Sequence, residues 1–226
     1  MRPLSKRLQV IFDLVPVGSR VADIGTDHAY LPIALSLSGK CSKIIACDIN
    51  EKPLNKAKEN IARFRISDIE TRLGDGISPV NAGEADTIIV AGMGGDVISH
   101  ILQSCQWLKN NGITLLLQPM TSAEILRTYL FDNSYEITKE IPLTENGKVY
   151  TVICARFSGK KVLLPMGSEY TGMVTASSEE GRLYLSKQFR RIDNCIEDIK
   201  SLSQKTDELT YLTKVREHIK DLLENL

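Results

Sequence analysis

The feature that most constrains the fold is a strand–turn–helix–strand pattern near the N-terminus. A short apolar run at residues 20–24 contains Asp23 and leads into a glycine turn at Gly25. A helical pattern follows at about residues 30–38, and a second apolar run at 43–48 ends in Asp48. This order predicts a β-α-β unit, because neighbouring parallel strands need a long crossover connection. The pattern therefore favours a layered α/β fold.

The rest of the chain continues the alternation of strands and helices. Apolar runs at 69–73, 87–90 and 113–117 predict three more strands, the last stopped by Pro119, and helical patterns occupy 52–64, the residues after Gly95, and 123–131. Two further runs, 135–143 and 148–157, flank Glu145-Asn-Gly147, a strong hairpin signal. We therefore predict an α/β, Rossmann-like, doubly wound sheet with an antiparallel edge, preceded by one amphipathic helix.

The composition changes after Gly159, and the remainder predicts a C-terminal α-helical hairpin of coiled-coil type. Its apolar positions step by four and three residues: Leu185, Phe189, Ile192, Ile196 and Ile199, then Leu212, Val215, Ile219, Leu222 and Leu226. We place the domains at 1–158 and 159–226. Two interpretations of the tail stay open. It packs on the core, or it is an arm that grips an extended substrate through Lys187, Arg190, Arg191, Lys200, Lys214 and Lys220.

The first two strand ends indicate an adenosine ligand. Gly25 lets a ligand approach the backbone, and Asp48 can accept hydrogen bonds from both ribose hydroxyls. Asp23 separates two ligand classes. It would repel the pyrophosphate of a dinucleotide, which needs bare amides and a helix N-terminus, but it suits the cationic amino acid end of S-adenosylmethionine. An NAD-dependent oxidoreductase is accordingly the weaker alternative, since the third glycine of its motif is also missing.

Five motifs carry a resemblance to a known family. They are Asp23-Ile-Gly25-Thr-Asp-His-Ala-Tyr-Leu-Pro, Cys47-Asp-Ile-Asn50, Gly74-Asp-Gly76, Ala91-Gly-Met-Gly-Gly95 and Leu117-Gln-Pro-Met120. Together they closely resemble the bacterial TrmK family, whose members are tRNA adenine N1-methyltransferases acting at tRNA position 22. The resemblance covers nearly the whole chain. The chain departs from the general methyltransferase pattern Asp-x-Gly-x-Gly-x-Gly at Asp27 and Ala29, where two later glycines usually stand.

The resemblance implies a class I methyltransferase domain, S-adenosylmethionine as cofactor, a tRNA substrate and a bacterial cytoplasmic protein. Asp75, after the third strand, is expected to read the adenine edge, and Asp23 to face the methionine end. The residues expected to bind the cofactor are Asp23, Gly25, Thr26, Asp27, His28, Asp48, Ile49, Asn50, Gly74, Asp75, Gly76 and Ala91.

The reaction implied by the resemblance does not require the protein to supply a strong base. Adenine N1 carries an in-plane lone pair and is unprotonated at neutral pH, so catalysis is mostly positioning and shielding from water. In a duplex N1 is buried, so the target base must be unpaired or extruded into the pocket. A glycine loop after the fourth strand is expected to line that slot, with Met93 offering a soft stacking face. The predicted loop residues are Gly92, Met93, Gly94 and Gly95.

Composition excludes some classes of protein and leaves one open. The formal net charge is zero, with 28 basic and 28 acidic residues, which argues against a strong nonspecific nucleic-acid binder. No apolar run reaches about 18 residues, so we expect no membrane span. The cysteines lack metal spacing, and we expect buried thiols and no metal site. A noncatalytic RNA-binding protein on this fold stays possible, although Asp23, Asp48 and Asp75 argue against it.

Overall fold

The computed structural model describes residues 3–161, 165–201 and 207–224. In chain order the elements are α1 (Lys6–Leu14), β1 (Ser19–Ile24), α2 (Tyr30–Leu37), β2 (Cys41–Asp48), α3 (Glu51–Arg63), β3 (Ile69–Leu73), β4 (Thr87–Gly94), α4 (Gly95–Gln103), a 3-10 turn (Gln106–Leu108), β5 (Thr114–Thr121), α5 (Ala123–Asp132), β6 (Tyr135–Glu145), β7 (Lys148–Phe157), α6 (Ser168–Thr171), α7 (Glu179–Ser201) and α8 (Asp207–Glu224).

The strands form one seven-stranded sheet in the order β3-β2-β1-β4-β5-β7-β6. Strands β1 to β5 are parallel, and β7 is antiparallel to both of its neighbours. The predicted Rossmann-like architecture is confirmed. One detail differs, because the antiparallel strand lies one position inside the edge. The β6–β7 hairpin joins the sheet through its second strand, which leaves β6 outermost.

Helices cover both faces of the sheet, and adjacent strand residues point to opposite faces. Val21 packs in a cluster with Ile11 of α1 and Leu31 of α2, whereas Ala22 packs in a cluster with Ile98 of α4. The same division recurs in β2 and β4, so these strands are buried on both sides. Burial on both faces explains why their sequences read as continuous apolar runs rather than alternating ones.

The predicted hairpin turn is present between β6 and β7. Glu145 pairs with Lys148, so the turn has two central residues, Asn146 and Gly147. Both adopt positive φ angles, 51° and 72°. This is the conformation of a type I′ turn, whose twist matches that of the flanking strands, and Asn-Gly is the sequence that it favours.

Two strands are longer than their sequences indicate. β5 passes through Pro119 to Thr121, so the expectation that Pro119 stops it was wrong. Pairing between β5 and β7 covers only Leu115–Leu117, and Pro119 lies beyond it, where β4 is the remaining neighbour. A proline is tolerated there because an edge position needs no second ladder of hydrogen bonds. β4 likewise continues to Gly94, with register shifts on both sides of Met93. The expected glycine loop is therefore an irregular end of a strand.

The tail forms the predicted pair of long helices. Buried residues of α7, including Ile192 and Ile196, share one apolar cluster with Leu212, Val215 and Ile219 of α8. Arg216 pairs with Asp193 at 3.1 Å, and these positions are about equally far from the segment between the helices, as in an antiparallel hairpin. Leu226 and residues 202–206, which the sequence pattern included, lie outside the described residues.

A buried ionic cluster fastens the tail to the sheet. Arg127 of α5 is fully buried and donates to the carboxylate of Glu140 on β6. It also donates to the hydroxyl of Tyr184 on α7, at 2.6 Å, and to the backbone carbonyls of Glu169 and Tyr170, at 2.9 and 3.1 Å. One guanidinium thus joins α5, the sheet, α6 and α7, so the first half of α7 is part of the folded core. None of the described helices combines the length and apolar character needed to cross a membrane.

Candidate active site

A pocket of about 610 Å³ lies at the carboxyl ends of the central strands. The order of the sheet reverses between β1 and β4, and a ligand crevice is expected at such a switch point. The pocket brings together all twelve residues predicted to bind the cofactor, along with Gly92 and Met93 of the predicted base slot. These residues come from the ends of β1, β2, β3 and β4. The loops at one edge of the sheet therefore build the site.

Gly94 and Gly95 do not line this pocket. Gly94 directly precedes α4, and Gly95 is buried in the first turn of that helix. A Cβ added at Gly95 would collide with the carbonyl oxygen of Ser122, which precedes α5. The absence of a side chain at Gly95 thus permits the close approach of two chain segments. Packing accounts for Gly95 in this structure, and only the first half of the glycine-rich stretch faces the pocket.

The first turn of the pocket needs a glycine at Gly25. Its φ of +76° is in the left-handed region, and an added Cβ would collide with the methyl group of Met93. The backbone amides of Gly25 and Thr26 donate to the carbonyl oxygen of Cys47 at 2.9 and 2.8 Å, which ties this turn to the end of β2. The two strand ends that we expect to contact the cofactor are therefore held together by main-chain hydrogen bonds.

Asp27 and Ala29, which replace two glycines of the general methyltransferase motif, both have positive φ angles. Their φ angles are +52° and +54°, in the left-handed region that glycine adopts most easily. The departure from the glycine pattern thus places two side chains at positions with the backbone conformation that glycine favours. Ala29 directly precedes α2, whose first residues line the pocket. The unpaired amides of a first helical turn favour a negatively charged group such as a carboxylate.

Asp48 is positioned by main-chain donors from two loops. Its carboxylate accepts hydrogen bonds from the amide of Asn50 at 2.9 Å and from the amide of Asp27 at 3.3 Å. The residue is only 8% exposed. A carboxylate has about four acceptor sites, so two remain for a ligand. Fixed in this way at the end of β2, Asp48 is suited to accept hydrogen bonds from a ribose diol.

Asp23 is a buried acid at the end of β1. Burial raises its pKa to about 6, the Thr26 hydroxyl opposes this rise, and the negative charge of Asp48 adds to it. A bound ammonium group would favour the charged form and lower this pKa. The position therefore suits a cationic ligand group, as the sequence indicated.

The loop after β3 provides the third acidic residue. Asp75 is exposed at the pocket rim, between two glycines whose neighbours leave little space for a side chain. An added Cβ would lie 3.0 Å from Pro79 at Gly74, and 3.2 Å from Ile101 at Gly76. The amide of Gly74 also donates to the carbonyl of Asp48 at 3.0 Å. This close packing holds the loop beside the end of β2.

Arg7 is a residue of the pocket that the sequence analysis did not identify. Arg7 of α1 lines the pocket and donates to Glu145 at 2.6 Å and to the side-chain oxygen of Gln118 at 3.1 Å. The same oxygen accepts from the amide of Gly92 at 3.2 Å. No local motif marks Arg7, because its partners lie far away in the chain. His100 of α4, an exposed residue, also lines the pocket.

Two aromatic residues stand beside the first turn. The rings of His28 and Tyr30 lie 5.4 Å apart and are tilted by 43°, and both line the pocket. Within the described residues, Nδ1 of His28 is buried without a hydrogen-bond partner. Such an atom is expected to meet a polar ligand group or water.

The residues present fit S-adenosylmethionine. Three carboxylates at strand ends, those of Asp23, Asp48 and Asp75, line the pocket and can accept hydrogen bonds from the amino and hydroxyl groups of such a ligand. Among residues 3–161, 165–201 and 207–224, no group of three or more His, Cys, Asp or Glu side chains is arranged to hold a metal ion.

Replacing Asp23 should stabilise the free protein and weaken cofactor binding. We expect Asp23→Asn to raise the melting temperature at pH 7.5 by several degrees and to lower the affinity for S-adenosylhomocysteine at least tenfold. A pKa raised from 3.8 to about 6 means that burying the charged form costs on the order of 3 kcal/mol. Thermal unfolding and calorimetric titration measure both effects.

The pH dependence distinguishes this explanation from a packing effect. Because folding raises the pKa of Asp23, its contribution to stability is full below about 3.8 and is lost as pH rises through about 6. The advantage of Asp23→Asn should therefore shrink between pH 7 and 5. Asp13→Asn, an exposed change on α1, should leave stability and affinity unchanged. An Asp23→Asn protein that melts lower than the wild type at pH 7.5 would contradict the prediction.

Comparison with known proteins places the whole chain in one family. Residues 4–153 match the family model described as a methyltransferase domain. The chain is 34% identical to the tRNA (adenine(22)-N(1))-methyltransferase of Bacillus subtilis, over 95% of this chain and 92% of that protein. The crystal structure of B. subtilis m1A22 tRNA methyltransferase TrmK matches with a TM-score of 0.86 and 31% identity, covering 99% of this chain and 100% of that one.

A second solved structure is that of M. capricolum TrmK in complex with the natural cofactor product S-adenosylhomocysteine. It matches with a TM-score of 0.80 and 28% identity, over 97% of this chain and 99% of that chain. Both the catalytic domain and the helical tail are thus included in the similarity. The pocket, the sheet order and these relatives agree, and the chain belongs to the TrmK family of tRNA methyltransferases.

Proposed function

We propose that this protein uses S-adenosylmethionine to methylate N1 of adenine 22 in tRNA, and that it acts in the cytoplasm, where tRNA is modified. The observation that carries the proposal is the pocket in which Asp23, Asp48 and Asp75 meet at the switch point of the sheet. The family relatives named above supply the substrate and the position.

Each end of the cofactor has its own group of residues. Asp48 holds the ribose, Asp75 and the amides of its loop read the adenine, and Asp23 faces the ammonium group. Thr26, Asp27, His28, Ile49, Asn50, Gly74, Gly76 and Ala91 complete this side of the pocket. When bound, S-adenosylmethionine would supply a methyl group on a positively charged sulfur. The lone pair of adenine N1 would form the bond to this methyl carbon as the carbon–sulfur bond breaks, which gives S-adenosylhomocysteine and a cationic 1-methyladenine.

The charge of the pocket suits this reaction. A positive charge is present at the start and at the end, and no proton has to leave N1. Four carboxylates, those of Asp23, Asp27, Asp48 and Asp75, line the pocket. Their negative potential favours a cation within it. The protein therefore needs no general base, and its task is to align the two reactants and exclude water.

The target base enters beside Gly92 and Met93. Gly92 is exposed, its φ is +81°, and an added Cβ would meet no atom within 4 Å, so space remains next to its backbone. Its amide is already used by Gln118, which leaves its carbonyl as an acceptor for the exocyclic amine of adenine. Gln118 thus positions the end of β4. His28 and Tyr30 offer ring faces on which an extruded base can stack.

The tRNA also contacts the first half of α7. Residues 182–191 contain Arg182, Lys187, Arg190 and Arg191 and no acidic residue. Residues 192–211 contain five acidic residues and two basic ones, so the far half of the hairpin is unfavourable for a phosphate backbone. Arg191 pairs with Glu124 at 2.5 Å, which fixes this helix against α5. We therefore assign the tRNA contact of the tail to the first half of α7, which lies nearest the sheet.

The test is methyl transfer to transcribed tRNA, followed by mapping of the modified nucleotide by mass spectrometry. We expect 1-methyladenine at position 22, and no transfer to a tRNA in which A22 is replaced by G. The physical reason is that guanine N1 carries a proton and offers no lone pair.

The alternatives give different results in the same assay. A noncatalytic RNA-binding protein would bind tRNA and S-adenosylhomocysteine without transfer. An oxidoreductase would be stabilised against heat by NADH rather than by S-adenosylhomocysteine. Methylation of a different adenine would support the proposed reaction, but it would show that position 22 is not the target.

A further inference from the structure

A second cavity lies where the end of β5, the start of α5, β7 and α7 meet. It has a volume of about 300 Å³, near the lower end of the range for small-molecule pockets. We call it the α7 groove. Its lining includes Met120, Ser122, Thr151, Tyr184, Lys187 and Gln188.

Gln188 is the unusual residue of the α7 groove. It is only 6% exposed, and within the described part of the chain its side-chain oxygen is buried without a hydrogen-bond partner. A buried amide of this kind is unfavourable unless something bonds to it. Gln188 therefore marks a position at which a polar group of a ligand would be stabilised.

Four neighbouring polar side chains of the groove are already paired within the protein. Lys187 donates to the carbonyl of Val149 at 3.3 Å, and Arg191 pairs with Glu124. The hydroxyls of Thr151 and Tyr184 hydrogen bond within the buried cluster of Arg127 and Glu140. Gln188 differs from these groove residues because it contributes nothing visible to the internal network.

The groove is connected to the active site by β5. Gln118 lines the active-site pocket, and Met120, Thr121 and Ser122 line the groove. Four residues of extended chain span about 13 Å. A strand of RNA with one base in the active site would therefore bring a flanking nucleotide to the groove.

We propose that the α7 groove binds a nucleotide that flanks the target adenine, with Gln188 hydrogen bonding to its base and Lys187 contacting its phosphate. The proposal rests on the proposed function, because it assumes an RNA substrate. An amide carries both donors and an acceptor, as the edges of unpaired bases do. Lys187 and Arg191, two basic residues of α7, also line the groove, which favours a ligand that carries phosphate groups.

The test is direct binding of tRNA in the presence of S-adenosylhomocysteine, with Gln188→Leu and Lys187→Gln. We expect Gln188→Leu to weaken tRNA binding at least fivefold with little change in its salt dependence. Lys187→Gln should weaken binding about threefold and reduce the slope of log K against log salt by about 0.7, the value for one single-stranded phosphate contact. S-adenosylhomocysteine affinity should stay within twofold for both proteins.

Lys109→Gln is the matched control. It makes the same charge change at an exposed residue near the amino end of β5, away from both cavities, and tRNA affinity should not change. Lys187 is on the surface of the folded protein, so its replacement reports on binding even if Gln188→Leu fails to fold. Wild-type affinity in Lys187→Gln, or in a Gln188→Leu protein with a normal melting temperature, would overturn the proposal.

The binding assay separates this proposal from the proposed function. If wild-type protein binds tRNA but does not methylate it, and both variants bind weakly, the proposed function is wrong, and the groove binds RNA without a target adenine beside it. If wild-type protein methylates A22 and both variants bind tRNA normally, the groove assignment is wrong. A wild-type protein that does not bind tRNA would overturn both.

Discussion

Asp48→Ala should lower the affinity for S-adenosylmethionine by at least about 100-fold while the protein stays folded. Two charge-assisted hydrogen bonds to the ribose would be lost, each worth about 1.5–3 kcal/mol. The change also frees the amides of Asn50 and Asp27, which Asp48 now anchors, so the loops on both sides of the ribose would loosen. Calorimetric titration with S-adenosylhomocysteine measures the effect without interference from turnover.

A second variant separates charge from loop anchoring. Asp48→Asn removes the negative charge and keeps an acceptor for one of the two amides, which bond to different carboxylate oxygens, so its affinity should fall between those of the wild type and Asp48→Ala. Far-UV circular dichroism checks that both proteins are folded. Affinity within twofold of the wild type in Asp48→Ala would remove Asp48 from the ribose site.

Arg127→Ala should have the largest effect on stability. Its loss would leave the Glu140 carboxylate buried without its cation, which typically costs 3–5 kcal/mol. For a chain of this size that corresponds to a fall of about 10 °C or more in melting temperature. Because Arg127 also bonds to Tyr184, the start of α7 should loosen, and tRNA methylation should fall more than S-adenosylhomocysteine affinity.

Arg156→Ala is the control for this prediction. Arg156 of β7 pairs at 2.9 Å with Glu136 of β6, the strand that also carries Glu140, but the two side chains are 56% and 43% exposed. An exposed pair contributes at most about 1 kcal/mol, so the melting temperature should change by only a few degrees. The double variant Arg127→Met with Glu140→Leu should recover part of the loss, since it leaves no buried charge. Equal melting temperatures for Arg127→Ala and Arg156→Ala would show that the buried cluster does not stabilise the protein more than an exposed ion pair does.

The same cluster bears on removal of the tail. Truncation at about Gly159 would take away Tyr184 and the carbonyls of Glu169 and Tyr170, and leave Arg127 with Glu140 alone. The truncated chain should therefore be unstable, as expected if the tail packs on the core. That result would not exclude an RNA-binding role, so the point changes on α7 are the sharper test of RNA contact.

The sequence was most informative where structure depends on neighbouring residues. Strand periodicity, the Asn146-Gly147 turn and the glycine at Gly25 act within a few residues, and these features were predicted. It failed at Pro119 and at Gly94, where pairing with the adjacent strand extends β5 and β4 beyond the limits that local propensity indicates. The position at which a strand ends depends on the adjacent strand with which it pairs, and the order of strands in the sheet is set by the tertiary fold.

The sequence by itself determined the sheet, the helical tail and the acidic residues of the cofactor pocket, because in a β-α-β unit strand ends follow directly from their order in the chain. Only the tertiary structure decided the rest. Arg7 meets Glu145 across 138 positions, Arg127 reaches Tyr184 across 57, and Gln188 lies in the α7 groove with no motif around it. Contacts between such distant segments arise from the packing of whole helices on the sheet, which leaves no periodic pattern in the residues concerned.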